Sequence, residues 1–71
     1  MPEMMPVFSS HVDAVGYDVG TKELHVQWRT GRVSVYHGVP AEVGEPFNTG
    51  GHASIGRALK AVKASHGHRY L

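Results

Sequence analysis

Cysteine is absent from the chain, which excludes disulfides and thiolate metal sites. Long apolar runs are absent too: none approaches the roughly 18 residues that a membrane span needs. The start, Met1-Pro2-Glu3-Met4-Met5-Pro6, lacks the basic and apolar regions of a signal peptide. These absences lead to the expectation of a cytoplasmic protein with no membrane association. Length is in short supply as well. A chain of 71 residues makes one domain with a marginal core, and small domains often gain support from a partner subunit. A homo-oligomer is therefore expected.

Acidic residues are missing from one part of the chain. Residues Pro46–Leu71 contain four Lys/Arg (Arg57, Lys60, Lys63, Arg69) and no Asp or Glu, whereas Met1–Glu45 contain three Lys/Arg against six acids. The two balances are +4 and −3, within a net charge of +1. Such asymmetry points to an anionic partner for the C-terminal part.

The first half alternates as β-structure does. His11–Asp18 reads as a strand with Val12 and Ala14 on one face and Val15 and Tyr17 on the other. Asp18–Lys22 has the composition of a turn. Leu24, Val26 and Trp28 alternate with polar residues, the clearest period of two in the chain. Thr30-Gly31 makes a hairpin, and Arg32–His37 forms the third strand, with Val33 and Val35 on one face and Ser34 and Tyr36 on the other. Gly38-Val39-Pro40 ends it. A short helix follows Pro40, weakened by Gly44 and Pro46, and Asn48–Gly51 reads as a loop. A second helix spans about 53–65, with Ile55, Ala58, Leu59 and Val62 at core-facing spacing. The fold expected is α+β: a three-stranded antiparallel meander followed by two helices packed on one face. Residues 1–6 are a lead-in, 7–66 the domain and 67–71 a basic tail. The expected core is Val12, Ala14, Val26, Trp28, Val33 or Tyr36, Val39, Phe47, Ile55, Leu59 and Val62.

The order of short motifs resembles the KTSC family, a domain found at the C-terminus of some lysyl-tRNA synthetases and as a stand-alone protein in bacteria and phages. The matching residues are Val7-Phe8-Ser9-Ser10, Gly16-Tyr17-Asp18, Leu24-His25-Val26-Gln27-Trp28, Gly31, Ser34–Pro40, Ser54-Ile55-Gly56 and Val62-Lys63. Ser34 stands where the family has tyrosine, and Ala58 and Leu59 stand where it has aromatics. The resemblance implies the fold and a binding role, for which RNA has been suggested.

Two stretches carry candidate chemistry. Gly50, Gly51 and Ser54 open the second helix, whose free N–H groups suit phosphate, with Arg57 and Lys60 adding charge. The Gly-Lys-Ser/Thr ending of a P-loop is missing. Arg32, Tyr36 and His37, with Arg29 across the hairpin, are candidates for stacking and polar contacts to nucleic acid. Of the six histidines (His11, His25, His37, His52, His66, His68), only His66-x-His68 is compact, so no metal site is expected. Ser10, His11 and Asp13 supply triad residue types, but neighbours on a strand face opposite ways. No catalytic residue and no cofactor are expected. The leading expectation is a non-enzymatic module that binds a phosphate-bearing ligand, nucleic acid first. The alternatives are a homo-oligomer that sequesters a nucleotide-like molecule and a protein–protein adaptor.

Overall fold

A computed structural model describes residues 3–49 and 55–71. Seven elements follow in order: β1 (Met5–Pro6), β2 (Val12–Asp18), β3 (Glu23–Trp28), β4 (Val33–Tyr36), α1 (Ala41–Thr49), α2 (Ile55–Ser65) and β5 (His68–Tyr70). The strands form one antiparallel sheet in the order β1-β2-β3-β4-β5. The sheet therefore has five strands, not three. The meander is present as read, and residues read as lead-in and tail supply its two edges. Both edges are too short to show a period of two, and proline in β1 is tolerated because edge strands leave N–H groups unused.

The turns follow their chemistry. Asp18 Oδ1 accepts from the N–H groups of Gly20 and Thr21 at 2.9 and 3.3 Å, and Lys22 takes a positive φ of 57°. Gly31, at φ 94°, lets the β3–β4 connection close with Trp28 N–H donating to Arg32 C=O at 2.8 Å.

β2 departs from simple alternation. Val12 pairs with Trp28 and Ala14 with Gln27, so Asp13 is an extra residue, a β-bulge. The bulge returns Val12 to the face of Val15 and Tyr17. The expected pairing of Val12 with Ala14 is corrected accordingly: Val12, Val15 and Tyr17 join Leu24, Val26 and Tyr36 in the core, and Ala14 lies on the opposite face. Phe47, Leu59, Val62 and Val39 close that core from the helical side, with Trp28, Ile55 and Ala58 packed against it. The choice between Val33 and Tyr36 falls to Tyr36, which is 1% exposed.

α1 runs through Thr49 despite Gly44 and Pro46, so Asn48 and Thr49 are helical rather than loop. Packing overrides propensity here. The carbonyl of Pro40 accepts from Val43 and Gly44, Phe47 is fully buried, and Gly44 lies against the ring of Tyr17. Asn48 makes two bonds to one residue of β2: Tyr17 N–H donates to its Oδ1 and its Nδ2 donates to Tyr17 C=O, both at 2.9 Å. β1 pairs only as far as Val15, so Asn48 completes the ladder where that strand runs out.

The face of the sheet without helices carries a polar group. Glu23 Oε2 lies 3.3 Å from both His37 Nδ1 and Arg69 Nη1, and Glu23 Oε1 is 3.8 Å from His25 Nε2. His25 is 5% exposed, and its Nδ1 is buried without a hydrogen-bond partner among the described residues. Burial, partly offset by Glu23, holds the His25 imidazole below the ordinary histidine value. Partial desolvation works to raise the Glu23 carboxyl, but Arg69, His37 and His25 together hold it below the ordinary range. Both groups thus bind protons less readily in the folded state than in the unfolded chain. Stability is then fully present at neutral pH. It falls as pH drops below about 6.5 for the His25 share and below about 4.3 for the Glu23 share. Replacing His25 with Leu removes the first share and, of the groups that hold Glu23 down, only the weakest. We expect the melting temperature of H25L to fall less than that of wild type between pH 7 and pH 5, measured by circular dichroism. Parallel slopes for the two proteins would show that His25 does not titrate on unfolding.

Candidate functional site

Positive charge and accessible aromatic rings meet on the helical side of the hairpin. Trp28 ends β3, half-buried, and its Nε1 donates to Ser34 Oγ at 2.7 Å. Ser34 is 1% exposed, so its hydroxyl fixes the indole from below. Lys63, from the outer face of α2, places Nζ 5.3 Å from the Trp28 ring centroid. Next to it, Tyr70 of β5 is 55% exposed, with the Arg32 guanidinium carbon 4.9 Å from its ring centroid. Both are cation–π distances. His68 stands edge-on to Tyr70 at 5.2 Å and tilted against Tyr36 at 5.1 Å.

Two adjoining clefts run along this surface. One, of about 390 Å³, is lined by Ser9, His11, Val12, Trp28, Gly56, Leu59, Lys60 and Lys63. The other, of about 340 Å³, is lined by His11, Trp28, Arg29, Thr30, Arg32, Lys63 and Tyr70. They share His11, Trp28 and Lys63. Arg29 is partly engaged: its Nη2 donates to Ser9 C=O at 2.7 Å, and its Nε lies 3.5 Å from Asp13. A further cleft of about 440 Å³ lies by Glu3, Met5, Pro6 and Asn48, with Glu3 its one charged side chain among the described residues.

The residues singled out from sequence divide among several places. Lys60 and Arg32 line the clefts. Arg57 is exposed on α2 and lines neither cleft. Gly50, Gly51 and Ser54 lie outside the described residues, as does His52. Tyr36 is buried beneath α2's side of the sheet, and burial pushes its hydroxyl above the ordinary tyrosine value. The assignment of Tyr36 as a stacking ring is therefore corrected, because a ring 1% exposed offers no face to a ligand. His37 belongs to the helix-free face with Glu23 and Arg69, which separates it from Arg32. The rings that line the clefts are Trp28 and Tyr70. Trp28 reads as a core residue by alternation, and Tyr70 lies in a segment read as tail. The available signal was Tyr70 beside Arg69 in the acid-free end of the chain.

Among the described residues no group of three His, Cys, Asp or Glu side chains is placed to hold a metal ion. No helix among them is long and apolar enough to cross a membrane.

The family model of the KTSC domain matches residues 8–61. The chain belongs to the KTSC domain family. Its fold is shared with the crystal structure of a KTSC domain protein from Yersinia pestis, at a TM-score of 0.84 and 29% identity, over 100% of this chain and 99% of that one. No curated protein matches. In this KTSC domain Ser34 is the partner of the Trp28 indole.

Proposed function

We propose that this KTSC domain is a non-enzymatic binding module for single-stranded nucleic acid, RNA first. The observation that supports this reading is the joining of Trp28 and Tyr70 with Arg32, Lys60 and Lys63 along two shared clefts. Single strands are held by cations along the backbone and by rings on which bases stack, an arrangement tolerant of sequence. Lys60, Lys63 and Arg32 would meet phosphates, and Trp28 and Tyr70 would meet bases. Lys63 and Arg32 rest on those rings in the free protein, so a stacking base takes a ring face as the cation turns toward phosphate.

The test is fluorescence anisotropy with a labelled single-stranded RNA of about ten nucleotides, a length within the usual site size. Affinity should fall as salt rises from about 50 to 200 mM, with a log–log slope of about −2 for three neutralised phosphates. Lys60→Ala with Lys63→Ala should weaken binding about tenfold at the lower salt and flatten the slope. Tyr70→Ala should weaken it by about 1–3 kcal/mol with the slope kept. An absence of binding at low salt would sink the reading. A mononucleotide binding as tightly as the RNA would replace it with the small-nucleotide alternative.

A further inference from the structure

β5 is the least anchored strand that carries part of this surface. It has three residues, all exposed, and among the described strands it borders β4 alone. Backbone bonds from His37 N–H to Gly67 C=O (3.1 Å) and from Leu71 N–H to Val33 C=O (2.9 Å) bracket it. Successive side chains of a strand point to opposite faces. His68 and Tyr70 therefore face the binding surface, and Arg69 faces the other side. There Arg69 Nη1 meets Glu23 Oε2 at 3.3 Å and lies 3.1 and 3.4 Å from the two ring nitrogens of His37. Glu23 is on β3, and His37 directly follows β4. The contact thus reaches across β4 and ties the edge strand to the middle of the sheet. Glu23 is mostly buried and Arg69 about half so.

We propose that Arg69, held by Glu23 and His37, is a positioning residue that fastens β5 and so presents Tyr70 to the ligand from the opposite face of the sheet. The proposal rests on the nucleic-acid reading for its ligand, but the fastening itself does not. A bare role for Arg69 as one more phosphate-binding cation makes a different prediction. Glu23→Gln removes the carboxylate and leaves every cation in place. If Arg69 merely attracts phosphate, freeing it from Glu23 strengthens binding. If it positions β5, Glu23→Gln weakens binding.

Two measurements separate the outcomes. The first is amide hydrogen exchange by NMR, without ligand. In Arg69→Gln and Glu23→Gln, exchange at the Leu71 amide should quicken about two- to fivefold, the scale of a partly exposed ion pair, with the Val26 amide unchanged. Arg69→Lys should restore part of the protection. The second is affinity for the same single-stranded RNA, expected to drop about two- to fivefold in Glu23→Gln. That drop should be lost when Tyr70→Ala is already present. Unchanged exchange at Leu71 overturns the fastening. Faster exchange with equal or tighter RNA binding overturns the link to Tyr70. If wild type binds no RNA, the nucleic-acid reading and the link to its ligand both fall, and the exchange data alone decide whether Arg69 fastens the strand.

Discussion

Replacing Gly44 with Ala should lower the melting temperature by about 10 °C or more, although alanine is the better helix former. On helix propensity alone the change gains about 1 kcal/mol. The added methyl, however, would sit 2.2 Å from Tyr17 Cδ1 and Cε1 and 2.5 Å from Cζ. Neither partner has room to yield. The Tyr17 ring is 4% exposed, its hydroxyl donates to Val39 C=O, and its backbone is clamped by Asn48. α1 would have to lift from β2, partly unseating Phe47. Overpacking of a fixed core costs typically about 1–3 kcal/mol and occasionally more; a clash this close belongs at or above the top of that range. The net loss is about 2 kcal/mol, and each kcal/mol shifts a domain of this size by about 4–8 °C. Thermal denaturation followed by circular dichroism reads the effect directly. Tyr17→Val should partly rescue Gly44→Ala, a coupling that a double-mutant cycle measures. A melting temperature equal to or above wild type in G44A would mean that helix and strand are not in the contact described.

Asn48→Ala should be nearly as costly, for a different reason. The substitution removes little apolar surface, but it strands both the N–H and the C=O of Tyr17. Leaving a buried backbone group without a partner costs about 1–3 kcal/mol. The site is only part-buried, so water recovers some of this, and a total loss of about 2 kcal/mol is expected. Asn48→Asp sharpens the test. At neutral pH a carboxylate still accepts from Tyr17 N–H but offers only lone pairs to Tyr17 C=O. N48D should therefore be no more stable than N48A at pH 7, measured by urea denaturation. Wild-type stability in N48D would show that the donor half of the clamp is not needed.

The meander was legible because its middle strands obey simple rules. Leu24, Val26 and Trp28 keep a strict period of two, Gly31 takes the conformation its turn needs, and the stripe Ile55-Ala58-Leu59-Val62 does face the core. What stayed hidden depends on long-range pairing. Three residues such as His68-Arg69-Tyr70 have no internal pattern that marks a strand, and they become one only because β4 has an open edge after both helices have passed. Trp28 shows the limit on the site. Alternation places it on the apolar face, correctly, yet there it stays only half-buried, with Lys63 over its ring. Tyr36, which likewise ends its strand on that same face, disappears beneath the helical layer. Nothing local in Ser-Val-Tyr separates the two situations; the separation comes from tertiary packing.

The bulge at Asp13 has a consequence for how this chain's length is to be counted. Val12 and Val15 face the same way only because one residue between them has no partner on β3. Excising Asp13 would leave Val12 opposite Trp28 and Ala14 opposite Gln27, with the inward and outward order of the strand preserved. Excising Ala14 instead would put Asp13 opposite Gln27 in the same order, whereas removing a residue from Val15 onward would invert the strand on one side of the cut. The sheet keeps its tally in pairs, so the bulge at Asp13 and Ala14 is where this strand can absorb a gap.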